Sequence, residues 1–375
     1  MADFVIVGGG VYGCGVAWEL AKRGAEVLLL EAQVVASGAS GGLGKRGVRA
    51  NGRDVRELPL MRLAYDMWPT LHEQIGAPTG YVRSGHLLLV ERESEYRTLA
   101  ARAWTQNQQG VPSRVVEQDE LRELEPYVSE GVIAALHCPK DGVADHTATT
   151  RGLAAAAARL GAQIREQTPV CGLERRGERV TAVLTAQGER IAVNGSLLLL
   201  SNQHVPAFVQ AQLGITLPVW WRLPQVMLTE AVEPMPLRHL IGHAHRVLAM
   251  KSHPTGQIMI SGGWRGQPNQ ETGEPEVQPD QVAGNLAEAV AVYPSLAGVA
   301  VAEVSVERWE TESIDNIPII DRLPGTKNLF IGTGWSGHGW AISPAVNRLL
   351  AEWLLTNTQP ELLWPFRYGR FRNGG

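Results

Sequence analysis

The chain has 375 residues, of which 44% are hydrophobic and 19% charged, and its formal net charge is -4. That length supports two domains with sizeable buried cores. The balance excludes the basic surface that nucleic acids and anionic membranes select. No apolar run approaches the roughly 20 residues of a membrane span. No basic segment precedes the first apolar run, so the expectation is a cytoplasmic protein without a cleaved leader. Cys14, Cys138 and Cys171 have no CxxC spacing, which argues against a disulfide framework and a structural zinc site.

Phe4 to Val7 is a short apolar run rich in β-branched residues, the pattern of a buried parallel strand. It enters Gly8-Gly9-Gly10-Val11-Tyr12-Gly13, a GxGxxG in register. Val11 to Arg23 reads as a helix ended by Gly24. Glu26 to Leu30 reads as a second buried strand, closed by Glu31 and followed by Ala32. Glu31 lies 18 residues beyond Gly13, the place of the acid that accepts ribose hydroxyls. Gly8 allows the tight turn, Gly10 lets backbone N–H groups approach a pyrophosphate, and Gly13 lets helix pack on strand. The helix N-terminus favours the phosphate charge. Strand, helix, strand and acid in this order predict a bound dinucleotide, and the motif alone leaves FAD and NAD open.

From Ala36 to Asp54 the sequence is glycine- and serine-rich, with the cations Lys45, Arg46 and Arg49, and is expected to be a loop outside the core. A helix is expected at 58–74, a strand pair through "YVRSGHLLLVE" and a helix at 94–108. Asp145 is placed to cap a helix through "TRGLAAAAARLGA". Strands follow at Val170, 179–185 and Ile191, and "SLLLLS" at 196–201 reads as a buried strand. From Leu217 onward, "VWWRLPQVMLTEAV", "HRVLAMKSH" and "GQIMISGGW" read as antiparallel strands, followed by a helix at 280–292. "NLFIGTG" is a last buried strand entering "WSGHGWAISPAVNRLLAEWLL", with Ser343 as N-cap and Pro344 in the first turn.

The opening motif, "DNIPIID" at 315–321 and "GTGWSGHGWAISPAVNRLLAEWL" resemble the FAD-dependent D-amino-acid oxidase superfamily, and within it the sarcosine and glycine oxidase branch. The resemblance implies an α/β plus antiparallel β fold. A Rossmann-like FAD-binding domain (1–80, 145–216 and 310–375) would interleave with a mixed or antiparallel-sheet substrate domain (81–144 and 217–309). It implies that Gly8, Gly10, Val11, Tyr12, Gly13, Glu31 and Ala32 form the adenosine-diphosphate site. Ser37, Gly41, Gly42, Lys45 and Arg46 fall in the loop that wraps pyrophosphate and flavin. Val170 falls where an aliphatic residue's backbone meets the adenine. Gly334, Gly337, His338, Gly339 and Trp340 fall near the flavin pyrimidine end. Departures accompany the match. Arg308 stands where monomeric sarcosine oxidases attach FAD through cysteine, so the FAD is expected to be non-covalent. Ala341 stands where they have a lysine, Glu310 falls near the glycine oxidases' substrate arginine, and "SNQHV" replaces the family's "AAGAW".

Arg49 is the first candidate for a substrate carboxylate, because a planar guanidinium grips a carboxylate bidentately; Arg46 is the second. His338, between two glycines, is a candidate donor to flavin or substrate, or a cation that helps oxygen take its first electron. Lys251 is one of five lysines; it either supplies that charge or is a strand-edge lysine facing water. His239, His243 and His245 have no adjoining acid in sequence and are read as structural, with no metal expected. Trp220, Trp221, Trp264, Trp335 and Trp340 are candidates for an aromatic site wall. The reading is an FAD-dependent oxidation of a small amino acid or N-methyl amino acid, sarcosine first, with oxygen as acceptor and hydrogen peroxide as product. A dehydrogenase of the same fold and a non-catalytic flavin-binding subunit are the alternatives. The protein is expected to be a monomer or homo-oligomer.

Overall fold

Phe4–Val7 pairs in parallel with Val27–Leu30 on one side and Ser196–Leu199 on the other. The computed structural model describes residues 2–40 and 45–372. Gln163–Arg165 extends this sheet at one edge; Leu329–Thr333 and the antiparallel Ile319–Arg322 extend it at the other. These strands are nearly continuous apolar runs because both faces are covered. One face packs on the helices Val11–Ala21, Leu58–Ile75, His146–Arg159 and Gly339–Thr356, around Ile6, Leu29, Leu198 and Phe330. The other packs on His204–Leu213 and on the three-stranded antiparallel sheet formed by Val170–Arg176, Arg179–Thr185 and Arg190–Ala192. Gly8 has φ +113, and a Cβ there would come within 2.8 Å of the Leu200 carbonyl. A Cβ on Gly13 would lie 1.8 Å from the Gly8 carbonyl oxygen, so helix and strand meet at a distance only glycine allows.

A second sheet has eight strands in the order Val301–Ser305, Val226–Thr229, Ile258–Ser261, Ala249–Ser252, Leu240–His243, His86–Val90, Ala134–Cys138 and Arg114–Glu117. Its neighbours are antiparallel except Leu240–His243 beside His86–Val90. Side chains alternate between faces. Leu87, Ile241, Met250 and Ile260 enter a core with Val292 of the helix Pro279–Val292. Lys251, next to Met250, therefore points to the opposite face, toward the parallel sheet.

Several expectations are corrected. Lys45–Val48 is a strand, antiparallel to Gly142–Asp145, and Val48 and Ala50 are fully buried; distant pairing overrides a loop-like composition. "YVRSGHLLLVE" yields one strand, His86–Val90, plus a single bridge from Val82 to Val143. The 94–108 helix is two pieces, Glu93–Tyr96 and Leu99–Gln108. Asp145 does cap its helix, accepting from the Ala148 amide at 2.9 Å. Ser343 and Pro344 do not start the last helix. It begins at Gly339, and both residues lie buried within it. The apolar stripe through Ala341, Ile342, Ala345 and Val346 continues into the core, and that burial outweighs the amide bond that Pro344 lacks. Gly41 and Gly42 lie outside the described residues.

Candidate active site

A cavity of about 1040 Å³ runs along the C-terminal ends of the parallel strands and under the open face of the eight-stranded sheet, where α/β folds place their ligands. At one end lie Gly8, Gly10, Val11 and Tyr12. Gly10 is the N-cap of its helix, with no side chain capping the first turn. A Cβ at Gly10 would meet nothing within 4 Å, so the backbone faces open space. Beside it the Glu31 carboxylate accepts from the amides of Gly9 (2.6 Å) and Gln33 (2.8 Å). Ala32, Ser37 and Val170 line the same end. Gly13 is not part of the wall and acts through packing alone. Lys45 is not part of it either; it lies opposite Asp145 in the strand pair. Gly334 also stays behind the wall, its amide donating to Thr311 Oγ1 at 3.0 Å.

At the other end Arg46, Arg49, Lys251, Gly337, His338 and Trp340 converge. The turn carrying Arg49 is clamped from below: the buried Asp141 accepts from the amides of Ala50 (2.7 Å) and Asn51 (3.0 Å), and Tyr65 donates to it at 2.5 Å. Arg49 has no carboxylate partner among the described residues; its Nη1 lies 3.4 Å from His86 Nε2. Arg46 donates to the Ser40 carbonyl at 2.9 Å. Burial lowers both guanidinium pKa values, that of Arg46 to about 10.

Lys251 is not a water-facing edge lysine. It sits on an interior strand, 7% exposed, and has no ion pair among the described residues. Burial first, then Arg46 and Arg49, lower its pKa to about 7. His338 precedes the last helix and faces Glu57, which precedes the helix Leu58–Ile75. Burial pushes the Glu57 carboxyl up to about 7, against the pull of Arg53. Burial and the nearby Arg53, Arg49 and Arg222 hold His338 well below its usual pKa, so its ring is neutral. Tyr12 stacks on Trp335 at 3.7 Å and donates to the Gly339 carbonyl, joining the first helix to the last.

Glu310 lines the cavity, where its buried carboxyl accepts from Ser40 Oγ, and burial raises its pKa. Arg308 lines it too, its Nε donating to the Ser37 carbonyl at 2.8 Å. Of the five tryptophans, Trp264, Trp335 and Trp340 are in the wall. Trp220 and Trp221 are exposed instead, donating to Glu312 Oε2 and to the Gln203 carbonyl at 3.1 Å each.

Arg53, Glu57, His86, Arg222 and Glu312 were not marked by the sequence. Arg222 Nη1 meets Glu312 Oε1 at 2.8 Å across the pairing of Val219–Arg222 with Glu310–Ser313. A polar His86 entering the apolar run "HLLLV" was the one readable signal. The histidine cluster has acids after all. His239 Nδ1 contacts Glu125 at 2.7 Å, and His243 and His245 reach Glu91 Oε2 at 3.6 and 3.4 Å. His243 Nδ1 accepts the amides of His245 and Arg246, which places its proton on Nε2, toward Glu91. Arg246 holds that same carboxylate at 2.7 Å. A metal ligand usually donates its second ring nitrogen outward; His243 Nδ1 accepts instead, while His245 Nδ1 faces Glu95 Oε2 at 3.3 Å.

The residues present fit FAD. The wall combines an open glycine backbone, an acid at the ribose end and a neutral imidazole at the far end. Arg53 Nε, Glu310 Oε1 and Trp340 Nε1 are buried in it without a hydrogen-bond partner. Residues 3–353 match the FAD dependent oxidoreductase family. The 4-methylaminobutanoate oxidase (formaldehyde-forming) of Paenarthrobacter nicotinovorans is 26% identical over 94% of this chain, which spans 44% of that protein. The sarcosine oxidase subunit beta of an Arthrobacter species is 26% identical over 99% of this chain and 91% of its own length. The crystal structure of L-proline dehydrogenase from P. horikoshii superposes with a TM-score of 0.89 at 25% identity, covering 100% of this chain and 98% of that one.

Proposed function

The chain belongs to the FAD dependent oxidoreductase family, and we propose that it oxidises the C–N bond of a small secondary-amine amino acid, with sarcosine as the first choice. The observation that carries this reading is Arg49, a guanidinium facing the cavity with no carboxylate partner among the described residues. Such a group holds a substrate carboxylate through two parallel hydrogen bonds. The sarcosine oxidase subunit and the proline dehydrogenase, both named for secondary-amine substrates, support the substrate class.

In this reading Arg49 fixes the carboxylate, while Trp264 and Trp340 bound the amine and exclude water. The cations Arg49, Arg53 and Lys251 disfavour a bound ammonium, so the substrate amine is held neutral and its lone pair is free. Bound FAD supplies the acceptor for the two electrons and hydrogen that leave as hydride from the carbon beside nitrogen. The resulting imine hydrolyses in water. In this reading no general base is needed on the carbon. Oxygen then takes the electrons, with Lys251 as the neighbouring charge. Residues 1–80, 145–216 and 310–375 are assigned to FAD binding, and 81–144 and 217–309 to the substrate side.

The proline dehydrogenase likeness favours a second reading, in which a carrier other than oxygen takes the electrons. Anaerobic titration of the yellow protein with sarcosine, proline, glycine and D-alanine tests the first step. Bleaching by sarcosine is expected. No bleaching by any of them overturns the proposal. Peroxide formation in air then separates the two acceptors.

A further inference from the structure

Among the described residues the Arg49 guanidinium has one side-chain hydrogen-bond partner, and that partner is unusual. His86 Nε2 lies 3.4 Å from Arg49 Nη1. His86 begins the strand His86–Val90 and is fully buried. Its other nitrogen, Nδ1, is buried with no hydrogen-bond partner among the described residues. A guanidinium has only donors, so Nε2 must accept and the ring proton must sit on Nδ1, where nothing receives it. The arrangement spends a buried donor to give Arg49 an acceptor.

Groups packed around His86 keep its ring neutral. Burial lowers its pKa most, followed by Arg49 and Arg53 from the clamped turn, His137 from the strand Ala134–Cys138, and His239 ahead of Leu240–His243. No carboxylate contacts it among the described residues. A neutral imidazole orients one N–H of the fork and leaves the full positive charge for an incoming anion. A carboxylate in its place would hold Arg49 more tightly and neutralise it.

Gly242 closes this contact from the neighbouring strand. A Cβ there would stand 2.8 Å from His86 Nε2 and 3.2 Å from Arg49 Nη1. Its φ is not in the left-handed region, so the glycine serves space, not backbone strain. Two residues on adjacent parallel strands thus shape one hydrogen bond to Arg49.

We propose that His86 is the positioning residue for Arg49, aiming its guanidinium at the substrate carboxylate without discharging it, and that Gly242 provides the room for the contact. This rests on the reading of Arg49 as the carboxylate holder.

The test uses the flavin-loaded protein and 2-furoate, a carboxylate with no amine to oxidise, read by its perturbation of the flavin absorbance. His86→Leu is expected to raise the 2-furoate Kd about tenfold. It should raise KM for the amine in parallel, with kcat within about threefold, since positioning of this kind is uniform binding. His86→Gln, whose amide oxygen accepts a hydrogen bond, should restore Kd to within about threefold of the parent. Gly242→Ala should weaken 2-furoate in the same direction as His86→Leu, and it keeps the test open if His86→Leu does not fold. FAD content and melting temperature are measured alongside. If Arg49→Met raises Kd while His86→Leu and Gly242→Ala leave it unchanged, the positioning role is overturned and Arg49 stands. If Arg49→Met itself leaves Kd unchanged, the reading of Arg49 falls first and the inference with it.

Discussion

His338 Nδ1 lies 3.4 Å from Glu57 Oε2, and both atoms are buried without a hydrogen bond among the described residues. The pair ties the start of one helix to the start of another across the far end of the cavity. Its chemistry sets a pH dependence. Glu57 has its pKa raised from 4.5 to about 7, chiefly by burial. A carboxyl raised in the folded state is neutral and harmless at low pH. As pH rises from the unfolded value through about 7, the unfolded state ionises first and folding loses stability. Glu57→Gln removes that titration. The variant should therefore match the parent near pH 4 and exceed it at pH 8 by at most about 3 kcal/mol. Urea unfolding at the two pH values checks this. A variant less stable than the parent at pH 8 would show that Glu57 is ionised and paired in the fold.

The two glycines of the opening motif should fail in different ways. Gly10→Ala adds a methyl that points into open cavity at φ -79, a conformation alanine accepts. The flavin-free variant should keep its stability to within about 1–2 kcal/mol, the scale of an N-cap change, while FAD affinity falls at least about tenfold. Gly13→Ala puts the methyl 1.8 Å from the Gly8 carbonyl oxygen, backbone against backbone. That variant should lose the fold. Equal flavin affinity in Gly10→Ala and the parent would place the pyrophosphate elsewhere.

The FAD should leave with acid. The resemblance puts Arg308 where sarcosine oxidases have their linking cysteine, and its guanidinium is held on the Ser37 carbonyl. Cys14 and Cys138 are buried away from the cavity wall, and Cys171 is exposed. Acid precipitation is expected to leave the yellow colour in the supernatant. Colour in the pellet would reveal a covalent bond through another residue.

How much of this was readable varies with the range of the interactions. Phe4 to Glu31 was legible because strand, glycine turn, helix and acid are neighbours in sequence. Lys45–Val48 was not. Its strand character comes from Gly142–Asp145, nearly a hundred residues away, and Gly142 itself sits where a Cβ would lie 2.1 Å from the Val82 carbonyl oxygen. The same holds for the site. Arg49 stood out as a cation in a glycine-rich stretch, and Arg53, four residues on in the same turn, was not marked. Glu57 carries no sequence signal of its own; its burial against His338 comes from the fold. The start of the last helix was misplaced because Ser343-Pro344 is a good local start signal, and only the packing of residues 339–342 on the core shows that it is not used.

Lys251 should separate the two halves of a turnover. It faces the cavity beside Arg46 and Arg49 with its pKa lowered to about 7. A positive charge held there stabilises negative charge developing on oxygen, an electrostatic effect on the order of a hundredfold in rate. Lys251→Met is expected to slow reoxidation by oxygen by about that factor, with anaerobic reduction by substrate changed by less than about threefold. In the parent, the oxygen rate should fall as pH rises through the lysine's pKa, because the charged form is lost. Stopped-flow measurement of the two half-reactions decides. An unchanged oxygen rate would remove Lys251 from the mechanism.

The substrate class makes the last prediction. Three features bear on it. In the proposed reading Arg49 supplies one carboxylate grip. Ala341 removes the second grip that a lysine would give, and it is buried against Trp68, whose Nε1 donates to the Ala341 carbonyl at 2.8 Å. Glu310, where a glycine oxidase's arginine would fall, is buried on Ser40 with its pKa raised. On that reading the first feature selects an amino acid. The second leaves the carboxylate held from one side, so more of the selectivity must come from the amine end. In the proposed reading Trp264 and Trp340, both in the cavity wall, offer apolar surface to an N-methyl group or a ring. The third withholds the extra cation that would help the smallest substrate, glycine, which has little else to bind. Secondary amines should therefore lead, with sarcosine and proline ahead of glycine and D-alanine in kcat/KM by tenfold or more, about 1.4 kcal/mol in transition-state binding. Measured under one oxygen concentration or with one artificial acceptor, a tenfold lead for glycine or D-alanine would overturn the assignment to secondary amines, while the fold and the flavin would stand.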